Sequence, residues 1–193
     1  MEIVLGVKRD IINKYLIECG YFTDKTVIDL INQNLEGRER ESAEQDPSFK
    51  QVIPYLIIKN NDDYLLYTRT KKQSETRLHS KLSLGVGGHI NPIDQEDINP
   101  EMVIPECLER ELEEEISIEL KKTPEFKGFI NDDTNEVGRV HLGIVYFAEA
   151  KSDAFTVNEH DKIIAEWVSI RDLELKYDNM ETWSQIVFNN IIK

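Results

Sequence analysis

The spacing of hydrophobic residues predicts helices in the first part of the chain. Apolar positions recur every three or four residues over Ile11–Cys19 and again over Val27–Leu35, and both patterns stop at a glycine. A short strand is predicted before them at Ile3–Val7. The charged segment Arg38–Pro47 is expected to be a loop or linker. These elements predict a strand and helical extension over residues 1–50.

From Gln51 onward the pattern changes to one that is typical of strands. Val52–Lys59 and Tyr64–Thr70 flank a polar Asn-Asn-Asp-Asp sequence, so a β-hairpin is predicted there. Four more strands are predicted in the rest of the chain, at Leu82–Ile90, Phe126–Asn131, Val137–Ala150 and Glu166–Ile170.

Two helices are predicted among and after these strands. Asn91–Ile104 contains two Asn-Pro pairs and is expected to be a long loop. Pro105 then suits the first residue of a helix that runs to about Ser117, and Trp183–Ile191 is predicted to form a closing amphipathic helix. The element order predicts an α/β (α+β) fold for residues 51–193, an α/β/α sandwich with a central mixed sheet.

The charge of the chain restricts its partners. The 193 residues carry a formal net charge of −14, and a polyanion such as nucleic acid or an anionic membrane is repelled by such a field. A small phosphorylated ligand stays compatible if a cation lies between it and the carboxylates. The apolar runs are short, no signal peptide is evident, and the two cysteines do not form a disulfide framework. A cytoplasmic protein is therefore expected.

Half of the net charge lies in one short segment. Eight Glu and a single Arg occur between Glu101 and Glu119. On a helix, Glu111, Glu114 and Glu115 span about 100° of one face, beside an apolar stripe that would dock on the sheet. Carboxylates grouped at the edge of a core suit Mg²⁺ or Mn²⁺. The alternative is a solvated acidic face, which would cost only about 0.2–0.5 kcal/mol for each like-charge pair.

The same segment resembles a known motif. Arg110-Glu111-Leu112-x-Glu114-Glu115-x-x-Ile118, preceded by Gly88, is similar to the Nudix box G-x5-E-x7-R-E-U-x-E-E-x-G-U, in which U is a bulky aliphatic residue. The resemblance implies that Glu111, Glu114 and Glu115 bind Mg²⁺ or Mn²⁺, with the Gly87 carbonyl near the metal and Arg110 as the residue that orients the carboxylates. The implied reaction is the hydrolysis of a diphosphate bond in a nucleoside diphosphate linked to another group.

The resemblance also implies a further acid in the loop before the late Trp-containing strand. Glu159 is the first choice for a further ligand or general base, with Asp161 as the next choice, and a charged surface turn is the alternative interpretation. The cations that could meet substrate phosphates are Arg69, Arg77 and Lys81. The expected substrate is a small phosphorylated compound.

The chain departs from the Nudix pattern in three places. The interval from Gly88 to Arg110 is eight residues longer than in the pattern, and Ser117 stands in place of Gly. Met102 stands where the early Glu is expected, with Glu101 beside it as a candidate substitute. These departures motivate an alternative function, a non-catalytic Nudix-fold module that binds a nucleotide or a protein. A further hypothesis is that residues 1–50 serve as an interaction element, with a homodimer as one expected state.

Overall fold

The computed structural model describes residues 2–69, 81–92, 100–160 and 163–193. Within these ranges the chain forms short strands near its start and longer ones from Phe49 onward. The strands are β1 Ile3–Lys8, β2 Cys19–Phe22, β3 Glu36–Glu39, β4 Phe49–Asn60, β5 Asp63–Arg69, β6 Leu82–Ser83, β7 Gly85–Val86, β8 Ile116–Leu120, β9 Glu125–Asp132, β10 His141–Val157 and β11 Ile163–Ser169.

The helices of the described ranges are mostly short, and none is long and apolar enough to cross a membrane. The longest of them precedes β8 without an intervening residue. The helices are α1 Arg9–Ile12, α2 Thr26–Asn34, α3 Arg40–Ala43, α4 Val103–Glu115, α5 Glu136–Arg139, α6 Ile170–Lys176 and α7 Thr182–Val187, which continues into a helical turn at Phe188–Ile192.

The chain divides into two compact units, each built from three separate segments. The first unit contains Met1–Tyr55, Gly87–Glu109 and Lys127–Val145. The second contains residues 56–86, 110–126 and 146–193. The predicted boundary between an extension over residues 1–50 and a domain over residues 51–193 stays a prediction.

In the first unit, the N-terminal strand joins the long strand β4. β1 pairs antiparallel with β3 and with the start of β4, where Gly6 lies opposite Gln51. β2 pairs antiparallel with β9, and the buried side chains of Val4, Ala43 and Phe49 pack together as a core cluster. The residues before Gln51 thus contribute strands and apolar packing to this unit.

A buried cation lies in the same unit. Lys50 is fully buried, and its Nζ donates to Asp133 Oδ1 at 2.7 Å, to the Gly138 carbonyl at 2.8 Å and to the His141 carbonyl at 3.2 Å. Arg9 binds the same carboxylate through two of its nitrogens. Burial alone would raise the pKa of Asp133, but hydrogen bonds from Arg9 and Lys50 outweigh this effect and lower the pKa to about 2. Burial lowers the pKa of Lys50, so Asp133 offsets its desolvation only in part.

In the second unit, strand pairing places the elements that follow the helix α4. β5 pairs antiparallel with β11 along the whole of both strands and with the end of β4 in a hairpin. β8 pairs antiparallel with the end of β10, with Ile116 opposite Val157 and Ser117 opposite Thr156. The last turn of α4 is therefore followed at once by a strand whose register is fixed.

The predicted mixed α/β fold is confirmed, as are β1, α2 and the β4–β5 hairpin. The helix predicted over Ile11–Cys19 is wrong in its second half. α1 continues into a 3₁₀ turn over Asn13–Tyr15, but Cys19 begins a strand that pairs with Asp132. The loop predicted over Arg38–Pro47 is also wrong in part. Its first residues belong to β3 and are followed by α3, since backbone pairing with β1 needs no apolar side chains.

Three other boundaries differ from the predictions. Leu82–Ile90 is not one strand but two short ones, because the Leu84 N–H donates to Ser184 Oγ instead of to a neighbouring strand. α4 begins two residues before Pro105, which a first helical turn tolerates. β10 begins at His141 instead of Val137, because Asn135 caps the short helix α5 by accepting from the Gly138 N–H.

Candidate functional site

The second half of α4 carries four charged residues that the sequence singled out. Arg110 Nη1 donates to Glu111 Oε1 at 2.7 Å, and it lies 3.4 and 3.5 Å from the two carboxylate oxygens of Glu114. Glu114 lies four residues ahead of Arg110, a spacing that makes the two side chains neighbours on a helix surface. The arginine therefore bridges two of the three carboxylates that were predicted to bind metal.

The three carboxylates differ in their exposure. Glu115 is buried at 8% exposure, and the Glu111 side chain is 14% exposed, so both lie at the edge of the core as predicted. The Glu114 side chain is 56% exposed, so the expectation that all three are kept from open solvent is wrong for this residue. The helix thus presents one accessible carboxylate next to two that are shielded.

The donor set of these residues suits a hard divalent cation. Among the described residues, no group of three or more His, Cys, Asp and Glu side chains is arranged as a finished metal site. Mg²⁺ does not need one, because it usually keeps several waters and binds one or two carboxylates together with substrate phosphates. The residues present therefore fit the ion, and binding must compete with Arg110 for oxygens of Glu111 and Glu114. The ligand roles of Glu111, Glu114 and Glu115 stay predictions.

The C-terminal end of α4 is joined to the end of β10 by Asn158. The Asn158 N–H donates to the Glu115 carbonyl at 2.8 Å, and Asn158 Nδ2 donates to the Glu113 carbonyl at 2.7 Å. Ser117 Oγ donates to Asn158 Oδ1 at 3.0 Å. In this loop Glu159 is a predicted site residue, and Asn158 was not predicted from the sequence. A signal was present, because an Asn at a strand end is a residue type that readily hydrogen-bonds backbone groups.

Glu159 follows Asn158 in the chain and is partly buried. Its carbonyl accepts from the Ile163 N–H at 3.0 Å, and Ile163 lies opposite Arg69 in the β5–β11 ladder. The backbone of Arg69 is thereby placed beside the turn that carries Glu159. The roles of Glu159 and Arg69 stay predictions, while Asp161 and Arg77 lie outside the described residues.

Lys81 is exposed and directly precedes β6. Leu82, the first residue of β6, lies opposite Thr68 in β5, so Lys81 and Arg69 occur at the same end of neighbouring strands. Two of the predicted phosphate contacts are therefore close in register. Their contact with substrate stays a prediction.

Gly87, in the first unit, has a packing reason to be glycine. A Cβ at this position would lie 1.9 Å from the Pro54 carbonyl oxygen and 3.3 Å from the Tyr55 Cα, so no side chain fits. The close approach of two backbones explains the residue without a ligand. The proposed role of the Gly87 carbonyl near a metal stays a prediction.

A buried histidine pair lies in the same unit. His89 Nε2 and His141 Nε2 are 3.3 Å apart, and His141 Nδ1 is 2.7 Å from the Val137 carbonyl oxygen. Because a carbonyl oxygen only accepts hydrogen bonds, Nδ1 is the nitrogen of His141 that carries the proton. In a neutral His141, Nε2 then accepts a hydrogen bond from the ring Nε2–H of His89. The buried thiol of Cys107 donates to the His89 carbonyl at 3.6 Å. These contacts give His89 a structural role beside the two glycines that precede it.

Acidification is expected to destabilise the protein through His89. Burial, followed by the charges of His141 and Arg40, holds the pKa of His89 well below its ordinary value of 6.5. A histidine whose pKa is lowered on folding contributes its full stability above about pH 6.5, and that stability is lost as the pH falls toward the lowered pKa. The loss is at most about 1.4 kcal/mol for each pH unit.

Urea unfolding at pH 7.5 and pH 5.5 measures this effect. The His89→Gln variant should lose less unfolding free energy between these pH values than the unmodified protein does, because its side chain does not titrate. His160→Gln, a change of the same type at an exposed histidine, is the control and should keep the full pH dependence. Equal pH dependence in all three proteins would contradict the assignment to His89.

Comparison with known proteins identifies the relatives of the chain. The family model described as NUDIX domain matches residues 50–189, which include all of α4 and begin one residue before the predicted domain boundary. Protein YmaB of Bacillus subtilis (strain 168) is 40% identical over 197 residues, which cover 96% of this chain and 95% of that protein.

Solved structures give a consistent result for the fold. The crystal structure of Tm1382, titled a candidate Nudix hydrolase, superposes with a TM-score of 0.84 at 33% identity and covers 99% of this chain and 98% of its own. A bifunctional NMN adenylyltransferase/ADP ribose pyrophosphatase from Francisella tularensis, solved with AMP and a Mn ion, has a TM-score of 0.53 at 19% identity. That match covers 72% of this chain and 40% of the other, and it shows a shared fold alone.

Proposed function

We propose, on the premise that this chain belongs to the Nudix family, that it is a divalent-metal-dependent diphosphohydrolase. The proposed substrate class is a nucleoside diphosphate linked to another group. Membership of the family supports hydrolase activity in general. The dependence on a divalent metal and the class of substrate are proposals. The observation that supports them is the arrangement on α4, where Arg110 contacts Glu111 and Glu114 one turn from the buried Glu115.

Glu111, Glu114 and Glu115 are the residues proposed to hold Mg²⁺ or Mn²⁺. When bound, such an ion would neutralise phosphate charge and activate a water for attack. The Francisella protein that shares this fold is described with AMP and a Mn ion, so Mn²⁺ is a metal to test beside Mg²⁺. Arg110 bridges Glu111 and Glu114 and orients both carboxylates, and a bound cation would replace Arg110 at the Glu114 oxygens.

Glu159 is proposed as the group that takes the proton in the reaction. The oxygen of a water forms a bond to one phosphorus of the diphosphate, and the bridging P–O bond breaks, so that two phosphate products result. The proton released by the water passes to the Glu159 carboxylate, as in general base catalysis. Arg69 and Lys81, at the same strand end, are proposed to contact the substrate phosphates.

A substrate panel tests this proposal. The purified protein is incubated with Mg²⁺ or Mn²⁺ and with ADP-ribose, other nucleoside diphosphate sugars, dinucleoside polyphosphates and nucleoside triphosphates, and products are separated by ion-exchange chromatography. We expect the hydrolysis of at least one compound to two phosphate products, with loss of the reaction in excess EDTA. The absence of metal-dependent product from every compound would overturn the proposal.

A non-catalytic binding module is the second candidate. It is favoured by Met102, which stands at the position of the early Glu in the Nudix box and is 44% exposed, so the neighbouring Glu101 would have to supply that carboxylate. Thermal stabilisation by one compound of the panel, with no product at any metal concentration, would support this candidate. Product formation in the presence of metal would exclude it.

A further inference from the structure

The C-terminal end of the helix α4 is capped by Asn158, the residue that follows strand β10. The last four carbonyls of a helix have no partner within it. Asn158 supplies donors to two of them, through its backbone N–H to Glu115 and through its side-chain amide to Glu113. Asn158 comes directly after β10, whose antiparallel pairing with β8 brings Val157 opposite Ile116. The cap is therefore placed by strand register.

Ser117 fixes which way the Asn158 amide faces. Its hydroxyl donates to Asn158 Oδ1, so Nδ2 is left to donate to the Glu113 carbonyl. Among the described residues, positive φ angles occur at Gly20 and Asn61, so Ser117 does not adopt the left-handed conformation that favours glycine at a helix end. The serine in place of the family glycine thus costs no backbone strain, and it contributes a hydrogen bond that glycine lacks.

We propose that Asn158 and Ser117 are positioning residues that hold Glu159 in place to accept the proton in the reaction. This inference rests on the proposed function. Glu159 directly follows Asn158, so its Cα lies about 3.8 Å from that of the residue bound to the helix end. On its other side, the Glu159 carbonyl is bound by the Ile163 N–H. The backbone is thereby hydrogen-bonded both at the residue before Glu159 and at the Glu159 carbonyl.

These hydrogen bonds matter because proton transfer depends strongly on geometry. A misplacement of about 1 Å can cost about 100-fold in rate. Removing the Asn158 amide should therefore lower kcat about 10–100-fold. KM should change by less than about threefold, since neither residue is proposed to touch the substrate.

The test combines these residues with Glu159 itself. Steady-state kinetics with the best compound of the panel and saturating Mg²⁺ are measured for Asn158→Ala, Glu159→Gln and the double variant. If Asn158 acts through Glu159, the double variant should have the same kcat as Glu159→Gln within about threefold, because nothing is left to position. A purely structural effect would lower kcat by the same factor in both backgrounds.

Variants at Ser117 provide a milder disturbance and a rescue. Ser117→Ala removes the hydroxyl and should lower kcat, as Asn158→Ala does. Ser117→Thr keeps a hydroxyl and suits a strand position, so its kcat should be close to that of the unmodified protein. Asn189→Ala is the control for the same chemical change, because the Asn189 amide donates to the Tyr177 hydroxyl in the C-terminal helical region, away from Glu159 in the chain. Thermal melting of each protein verifies that it is folded.

Each result has a definite meaning. An unchanged kcat in folded Asn158→Ala and Ser117→Ala, in an active protein, would overturn the inference and leave the proposed function standing. The same fall of kcat with and without Glu159 would also overturn it. An unmodified protein that hydrolyses nothing would overturn the proposed function, and the inference would fall with it.

Discussion

Replacing Glu115 by Gln is expected to lower kcat/KM for the best substrate by about 100–10,000-fold, which corresponds to about 3–5 kcal/mol of lost transition-state stabilisation. The reason is that Gln keeps the size of the side chain and removes the charge that would hold a divalent cation. Glu115 is the most buried of the three acidic residues, so water cannot easily substitute for the missing oxygen. We expect Glu114→Gln to lower kcat/KM as well.

The control is Glu109→Gln, the same chemical change on the same helix at an exposed position, which should leave activity within about twofold. Metal binding is measured separately by titrating each protein with Mn²⁺ and following the free ion by electron paramagnetic resonance. Weaker Mn²⁺ binding in Glu115→Gln but not in Glu109→Gln is expected. Full activity and unchanged Mn²⁺ binding in both Glu114→Gln and Glu115→Gln would refute the metal assignment.

The second large effect concerns stability. Asp133→Asn is expected to lower the free energy of unfolding by about 3–5 kcal/mol, because it leaves the buried ammonium of Lys50 without its counter-charge. Most of this loss in unfolding free energy comes from leaving the charge of Lys50 buried and unpaired, and less from the lost attraction between Lys50 and Asp133. The double variant Lys50→Met/Asp133→Asn should therefore be more stable than Asp133→Asn alone, although the Gly138 and His141 carbonyls lose a donor.

Urea unfolding of the three proteins at pH 7 measures this ranking. The pH dependence gives an independent test, since the pKa of Asp133 is lowered to about 2. A carboxylate with a lowered pKa contributes its stability above about pH 3.8 and loses it as the pH falls toward 2, an effect of about 2 kcal/mol here. Asp133→Asn should lack that part of the acid transition. A double variant less stable than Asp133→Asn would contradict the role of Lys50.

The local patterns of the sequence predicted some elements and missed others for physical reasons. The hairpin β4–β5 and the helix α4 were predicted because each is encoded by neighbouring residues, a polar turn in one case and a 3.6-residue period in the other. The strand Cys19–Phe22 was missed because its conformation is set by pairing with Phe129–Asp132, more than a hundred residues away. Long-range pairing of this kind overrides local propensity.

The residues of the candidate site also differ in how far the sequence could predict them. The four residues Arg110, Glu111, Glu114 and Glu115 lie on one helix, so their neighbourhood could be predicted from spacing alone. The residue type of Asn158 indicated a hydrogen bond to backbone, but its partners could not be predicted, because its contacts with Glu113 and Ser117 depend on the β8–β10 register. The Lys50–Asp133 pair was missed for a similar reason, since nothing near either residue in the chain indicates the other.

The direct junction of α4 and β8 has a consequence for the lengths that this chain can tolerate. Glu115 ends the helix and Ile116 begins the strand, so one inserted residue would either rotate the carboxylates relative to the strand or shift the pairing of Ile116 with Val157. A shift of one residue turns every side chain of a strand to its opposite face. Length variation is absorbed instead before the helix, where the interval from Gly88 to Arg110 already carries eight residues more than the Nudix pattern.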